Sequence, residues 1–584
     1  MAIYQEAYDF AAETSAQVDI DKMWVDLEAF SKLHRYSGSE AGEQAVDLIC
    51  SRLEEYGVEY ERVKFDVYRS LPKGGHLSVF TPDGVKHEFK LTPFVYSAEC
   101  KSLKAPLYFD EMGRKKGGEL QLFDTGEAVS TQKSEARRFS DEIKGKIVFT
   151  LEGSYDFAEK ARRAGAVGIV CAYALDIVHH GTLGAVWGNP TIDDLYTKYP
   201  WLPFGEVKKS DSDRLLALVD SGEELCAEMD IAMDNNIVNA SEPVAFIKGK
   251  TDKYVLISGH YDSWYEGMTD NAVANMTMLE IARIFKKYEG KLNHSVKLAW
   301  WCGHSDGRYA GSTYYSDSHY VDLHNNCIAH LNMDIAGFGR LGKVAMRTSA
   351  LEKEDFVREI CLPYNDEEPE KAKRNGRSGD MTFWCNSVPL AASVQFGEYG
   401  FGKPDYYYWH SPEDGIDKLN RESTLRDARF MTSMCSYYVQ CRNIPVDFTA
   451  YVDFMEKELK AIDAKLAPEF DLSPVWGPLG KVREAANMVM GLIDGKNTDD
   501  LIKKAGGELV RLTYSRGSAY SQDEALPQPI FPGIAAAKGK TRDNTSPDYF
   551  LALRTSFMRQ VNRLTVQLEY VLDVFDRQIE EWSK

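Results

Sequence analysis

The stretch YVLISGHYDSWYEGMTDNAVANMTMLEIARIFKKY, residues 254–288, decides the fold. It opens on an apolar run, 254–260, with the length of a strand buried on both faces. It closes on a helical repeat, with Met278, Ile281, Ala282 and Phe285 at i, i+3, i+4 and i+7. Three further runs read as strands: VKLAWW (296–301), IAHLNMD (328–334) and PLAASVQF (389–396). Buried strands alternating with helices predict an α/β fold, a mixed but mostly parallel sheet covered by helices on both faces.

In an open α/β sheet, chemistry gathers at the C-terminal ends of the strands. The first run ends in GHYDSW, with His260 and Asp262; Asp270 follows in MTDNA, opening the next helix. The third strand ends at Asp334, and His410 stands in YYYWHSPEDGIDKL. Imidazoles with carboxylates form an N/O site suited to zinc or another divalent transition metal. Asp262 is placed to orient His260 as an outer carboxylate. Taken singly each residue is ordinary, and Asp270 reads equally well as a helix N-cap.

Working outward, residues 1–70 read as helices followed by a strand. From 71 to 240 the texture changes to short strands and glycines, including GKIVFTLEGSYDFAEKARRAGAVGIVCAYA (145–174), a strand–helix–strand inset. Beyond 445 the chain is mostly helical, interrupted by an irregular stretch at 514–540. The expected organisation is therefore 1–70 with 241–445, an insert at 71–240, and a helical unit at 446–584.

The net charge of -20 over 584 residues argues against nucleic acid or an anionic membrane as partner. Ten scattered cysteines with no C-x-x-C pair suit a reduced compartment and exclude a cysteine-ligated zinc site. The N-terminus has neither a basic segment nor an apolar one, which places the protein in the cytoplasm as an expectation.

Five segments together, GHYDSW…TDNAVANMTMLEIAR, the G-x-x-x-GRYAGS turn, NMDIAGFG, SGDMTFW…VPL and YWHSPEDGIDKL, resemble the successive motifs of the M28 zinc exopeptidases. The inset resembles a protease-associated (PA) domain. The helical tail with FPGI at 531–534 resembles the dimerisation domain of the glutamate carboxypeptidase II and transferrin receptor branch. The resemblance implies one metal site on His260, Asp270 and Asp334, with Asp270 bridging to a second at His410. It also implies one or two ions, a small-molecule or peptide substrate, and a homodimer through the helical unit.

One motif departs from the family. In WWCGHSDGRYAGSTYY, residues 300–315, the family's paired acids are replaced by His304 and Ser305. The family's first acid is the general base and its second a metal ligand. His304 is expected to serve as base or as ligand, since an imidazole titrates near neutrality. Ser305 is a poor ligand by comparison. The remaining expected site residues are Asp380, Arg377 and Arg308 near the motifs, the arginines as carboxylate binders, with Trp264 and Tyr265 as pocket walls. The carboxypeptidase branch's glutamate-binding Lys-Tyr pair corresponds to Ala525 and Leu526, which argues against that specificity without pointing to another. Four functions follow: a retuned metallohydrolase acting on a small peptide, amide or amino-acid derivative; a conventional exopeptidase; a lyase or acyl-transfer enzyme using the metal as Lewis acid; or an inactive binding protein.

Overall fold

The computed structural model describes residues 4–111, 141–151, 153–199, 201–338, 343–386, 388–396 and 406–584. Residues 112–140, 152 and 200 of the expected insert lie outside them, as does Gly339 of the NMDIAGFG motif. Thirteen strands are hydrogen-bonded in one sheet among the described residues. They are β1 (Glu59–Phe80), β2 (Lys86–Pro93), β3 (Cys100–Phe109), β4 (Ile147–Thr150), β5 (Gly168–Ala172), β6 (Phe204–Val207) and β7 (Cys226–Ile247). Then follow β8 (Tyr254–His260), β9 (Ser295–Trp301), β10 (Cys327–Asn332), β11 (Val344–Thr348), β12 (Lys373–Arg374) and β13 (Leu390–Phe396).

The central block runs β9–β8–β10–β13, all parallel, with β7 and β11 antiparallel outside it. Every residue of β8 and β10 is buried. Alternation along β8 explains why: Val255 and Ile257 face one core, while Tyr254 and Leu256 face another. The first core holds the helix Val273–Lys286 and the N-terminal helices; the second holds Trp301, Tyr315 and Phe383. Helices on both faces make the strands read as continuous apolar runs.

Two 22-residue strands, β1 and β7, pair antiparallel from Glu59↔Phe246 to Phe80↔Cys226. The expected boundaries at 70/71 and 240/241 fall inside these strands, which run on from the parallel block into the expected insert. At their far ends β2, β6, β5, β4 and β3 join them to close a ring of strands. That ring encloses its own core of Leu77, Phe89, Phe149, Val170 and Met229. The C-terminal helices share the main core. Tyr514 stacks on Trp384 at 3.9 Å, and Lys503 Nζ donates to the Leu323 and Cys327 carbonyls. Among the described residues, no helix is long and apolar enough to cross a membrane.

Two sequence expectations shift. Strand β10 stops at Asn332, so Asp334 stands in the loop beyond it. Asp270 does not cap a helix: it lies in an irregular turn with φ −131° and ψ 84°, and the regular helix starts at Val273.

The loop after β8 is anchored by Arg35, which is fully buried. Its Nε donates to the Tyr261 carbonyl at 2.7 Å, Nη1 to Glu266 O at 2.6 Å and Nη2 to Gly267 O at 3.0 Å. Burial lowers its pKa to about 10, against the pull of Asp262, Asp414 and Asp270. Arg35→Met strands these carbonyls without donors, so denaturant unfolding should show a loss of about 3 kcal/mol or more.

Glu352 sits where the sheet meets the C-terminal helices. It accepts from Ser349 Oγ at 2.8 Å and Tyr438 OH at 3.1 Å. Burial pushes its carboxyl from 4.5 up to about 7. The folded state thus binds the proton more tightly than the unfolded chain. Stability present in full below pH 4.5 is lost as pH rises towards about 7. Denaturation at pH 5 and pH 8 should show this loss, about 2–3 kcal/mol, and Glu352→Gln should abolish that part of it. Equal pH dependence in the two proteins would remove Glu352 as its source.

Candidate metal centre

Parallel strands β9, β8 and β10 end side by side, and each releases its chain into a loop at the same edge. His260 is the last residue of the middle strand. Its Nδ1–H donates to the Asp262 carbonyl at 2.8 Å, which leaves the Nε2 lone pair facing outward. That Nε2 lies 3.0 Å from Asp270 Oδ1 and 3.4 Å from Asp334 Oδ1. Among the described residues, none of these three buried atoms has a hydrogen-bond partner.

Converging acceptors with no donor among them call for a cation. The spacing fits one: ligands about 2.0–2.1 Å from a tetrahedral ion stand about 3.3 Å apart. Without an ion the same geometry shifts the groups strongly. Burial alone would lower the His260 pKa, but Asp270 and Asp334 raise it well above the ordinary range. Burial would raise Asp270, but His260 and His410 hold it well below.

Asp270 faces both ways. Its Oδ2 accepts from Trp409 Nε1 at 2.8 Å and lies 3.3 Å from His410 Nε2. Asp414 holds the turn, accepting from Thr269 N, Thr269 Oγ1 and Asp270 N at 3.0, 2.8 and 3.2 Å. Burial pushes that carboxyl up to about 7. The neighbouring Asn271 ties this turn to the Asp334 loop, donating to Met333 O at 2.9 Å and accepting from Ile335 N at 3.2 Å. His410 donates from Nδ1 to the His180 carbonyl at 3.2 Å. Its backbone is left-handed, φ 56°, a conformation that costs about 1–2 kcal/mol outside glycine.

Gly303, φ 65°, opens the turn after β9; a Cβ there would stand 2.8 Å from that of Ala310. His304 and Ser305 follow. Their N–H groups donate to the Asp262 carboxylate at 3.1 and 2.9 Å. Asp262 therefore orients His260 through its backbone carbonyl, while its carboxylate staples the turn; the imidazole is 3.7 Å from that carboxylate. His304 donates from Nδ1 to Asp380 Oδ2 at 2.8 Å.

One ligand atom from each of His260, His304 and Asp334 lies within 4.8 Å of the others. Ring geometry separates His304 from that set. Its imidazole stacks on that of His260, centroids 3.7 Å apart and planes 11° from parallel. A lone pair lies in its ring plane, and two parallel planes share no point about 2.1 Å from both nitrogens. In this arrangement the two rings face each other and their lone pairs do not converge on one point.

Other expected site residues are engaged elsewhere. Asp380 has both oxygens occupied, Oδ2 by His304 and Oδ1 by Ser312 Oγ at 2.7 Å, and so is not free for substrate. Arg377 is buried against Asp523 at 3.3 Å, with its guanidinium 4.7 Å over the Trp187 ring. Arg308 donates to the carbonyls of Gly184 and Ala525 at 3.0 and 2.5 Å. Trp264 is buried, stacked on His180 at 4.5 Å, and Tyr265 OH meets His180 Nε2 at 3.0 Å. Arg35, His180 and Trp187 carry no local signal, since they lie far in sequence from the motifs that hold the candidate ligands. Asp414, four residues after His410, was within reach of motif reasoning.

The chain is 26% identical over 287 residues to leucine aminopeptidase 2 of Trichophyton equinum, covering 46% of this chain and 52% of that protein. The match thus spans about half the length of that relative. The solved aminopeptidase from Aneurinibacillus sp. strain AM-1 superposes with a TM-score of 0.56 at 20% identity, over 75% of this chain and 97% of its own. BSAP, a zinc aminopeptidase from Bacillus subtilis, superposes with a TM-score of 0.51 at 19% identity, over 75% and 95%. The fold is that of the M28 aminopeptidases, and residues 243–434, which carry every candidate ligand, match Peptidase family M28.

Proposed function

We propose that this chain is an M28-type metallohydrolase of small peptides, amides or amino-acid derivatives, with His304 and Asp380 in place of the usual glutamate base. The observation that carries this reading is the convergence of three donor-free acceptors at His260, Asp270 and Asp334, with a carboxylate-bound histidine beside them.

Zinc is the favoured ion, held by His260 Nε2, Asp270 and Asp334, with Asp270 and His410 marking a second position. When bound, such an ion supplies Lewis acidity towards a carbonyl oxygen and lowers the pKa of water. His304 does the proton work. Its Nδ1–H is fixed on Asp380, so Nε2 offers a lone pair to the water attacking the scissile carbonyl. That nitrogen takes the proton and returns it to the leaving amine, while the Asp380 carboxylate stabilises the imidazolium between the two transfers. Ser305 adds no charge at the second position, which favours occupancy by a single ion.

The wider assignments belong to the same proposal: an M28-like unit at 1–70 and 241–445, a PA-like insert at 71–240 and a helical unit at 446–584, in a cytoplasmic homodimer. The helix Pro547–Trp582 supports the last point. It leaves Leu551, Met558, Val566 and Tyr570 exposed on one face.

Elemental analysis with kinetics on aminoacyl amides, dipeptides and N-acyl amino acids tests the reading. Chelation should abolish turnover. Asp270→Ala should lose the ion and the activity together. His304→Ala should keep the ion and lower kcat by about 10²–10⁴-fold. No turnover by metal-replete protein across the panel would overturn the hydrolase, and unchanged kcat in His304→Ala would overturn the base.

A further inference from the structure

The insert reaches the site through one short segment. Gly188, φ 80°, lets it lie against the helix Ala310–Ser318; a Cβ there would stand 2.6 Å from Thr313 Cβ. Just before it, Trp187 is buried, with its ring 4.5 Å from Tyr309 and beneath the Arg377 guanidinium at 4.7 Å. The Trp187 indole donates to Thr382 Oγ1 at 2.9 Å. Thr382 Oγ1 meets Ser312 Oγ at 2.8 Å, and Ser312 Oγ meets Asp380 Oδ1 at 2.7 Å. Asp380 Oδ2 then takes the His304 Nδ1–H at 2.8 Å.

Donor chemistry fixes the direction of this line. An indole N–H only donates and a carboxylate only accepts. Ser312 must give its hydrogen to Asp380, so its oxygen accepts the Thr382 hydrogen, and the Thr382 oxygen accepts from the Trp187 indole. All three polar groups between the indole and His304 are satisfied in one arrangement, and Thr382, Ser312 and Asp380 are buried away from competing water.

We propose that Trp187 is a positioning residue: from the insert, it sets the hydrogen-bond line Trp187–Thr382–Ser312–Asp380 that holds His304 with Nδ1 protonated and Nε2 free. This rests on the proposed role of His304. The same segment supplies the His180 carbonyl that fixes the tautomer of His410. The insert is therefore part of the site's working structure. Without the indole donor, Thr382 is free to turn its hydroxyl away from Ser312, and Ser312, no longer held by that hydrogen, can turn from Asp380 to its other acceptor, the Tyr309 carbonyl at 3.3 Å.

The test uses the full chain. Proton NMR locates the downfield His304 Nδ1–H signal, identified by its absence in His304→Ala. Trp187→Phe and Thr382→Val should shift or broaden it. Both should lower kcat about three- to tenfold, the worth of one hydrogen bond, with KM and metal content unchanged. Thr382→Ser keeps the hydroxyl and should restore both readouts, which guards against a packing effect. An unmoved signal in folded Trp187→Phe and Thr382→Val overturns the proposal. The NMR arm needs no turnover, so it stands or falls separately from the hydrolase assignment.

Discussion

The structure is organised around an excess of buried acceptors at one sheet edge. Asp262, Asp270, Asp306, Asp380 and Asp414 are all buried around His260. Carboxylates that close together repel and desolvate one another, so each needs its own donors. Asp262 takes two backbone N–H groups of the His304 turn, Asp414 takes those of the Asp270 turn, and Asp306 takes that of Ser37. Arg35 adds a buried positive charge beneath the loop. After these pairings, the donor-free atoms that face one another are those of His260, Asp270 and Asp334. The loops give most of these carboxylates donors and leave those three atoms facing one another; among the described residues Asp306 Oδ1 and Asn332 Oδ1 are also without a partner, but they are not part of that convergence.

That constraint explains why the insert cannot be treated as an appendage. The β1–β7 ribbon runs without a break from the parallel block into the ring of strands, so the insert's placement is set by strand register and not by a linker. Its segment 180–187 then supplies a carbonyl to His410 and an indole to the line behind His304. Arg308 and Arg377, which charge and position mark as substrate binders, clamp the insert and the 523–525 stretch around that segment.

The parallel sheet was legible because β8 and β10 are buried on both faces and so read as unbroken apolar runs. The site's histidines and aspartates were legible because each follows a strand or opens a turn. What sequence could not show was division of labour. Asp262 acts on His260 through its carbonyl rather than its side chain. Asp270 looked like a helix cap because a regular helix begins a few residues later. Asp380 passed for a substrate contact, although its partners, Ser312 and His304, lie on the far side of the sheet edge in sequence. Contacts between segments more than about a hundred residues apart, such as Trp187 with Thr382, leave no local pattern.

In the proposed reading, exchanging two acids for His304 and Ser305 changes the charge of the site as well as its base. Two carboxylates there would add to an edge already crowded with them, and would need further donors or a second cation. His304 instead brings a donor to Asp380, converting one of the crowded carboxylates into a partnered one. The family's glutamate base needs no such support, since a carboxylate carries its own lone pairs whichever way it turns. An imidazole presents a lone pair on one nitrogen only, and is useful only when the other is held. The substitution therefore makes sense together with a buried carboxylate behind the ring and a fixed source of hydrogen bonds behind that carboxylate. Asp380, Ser312, Thr382 and Trp187 form that line, and the residue exchange and the insert's reach into the site are two parts of one arrangement.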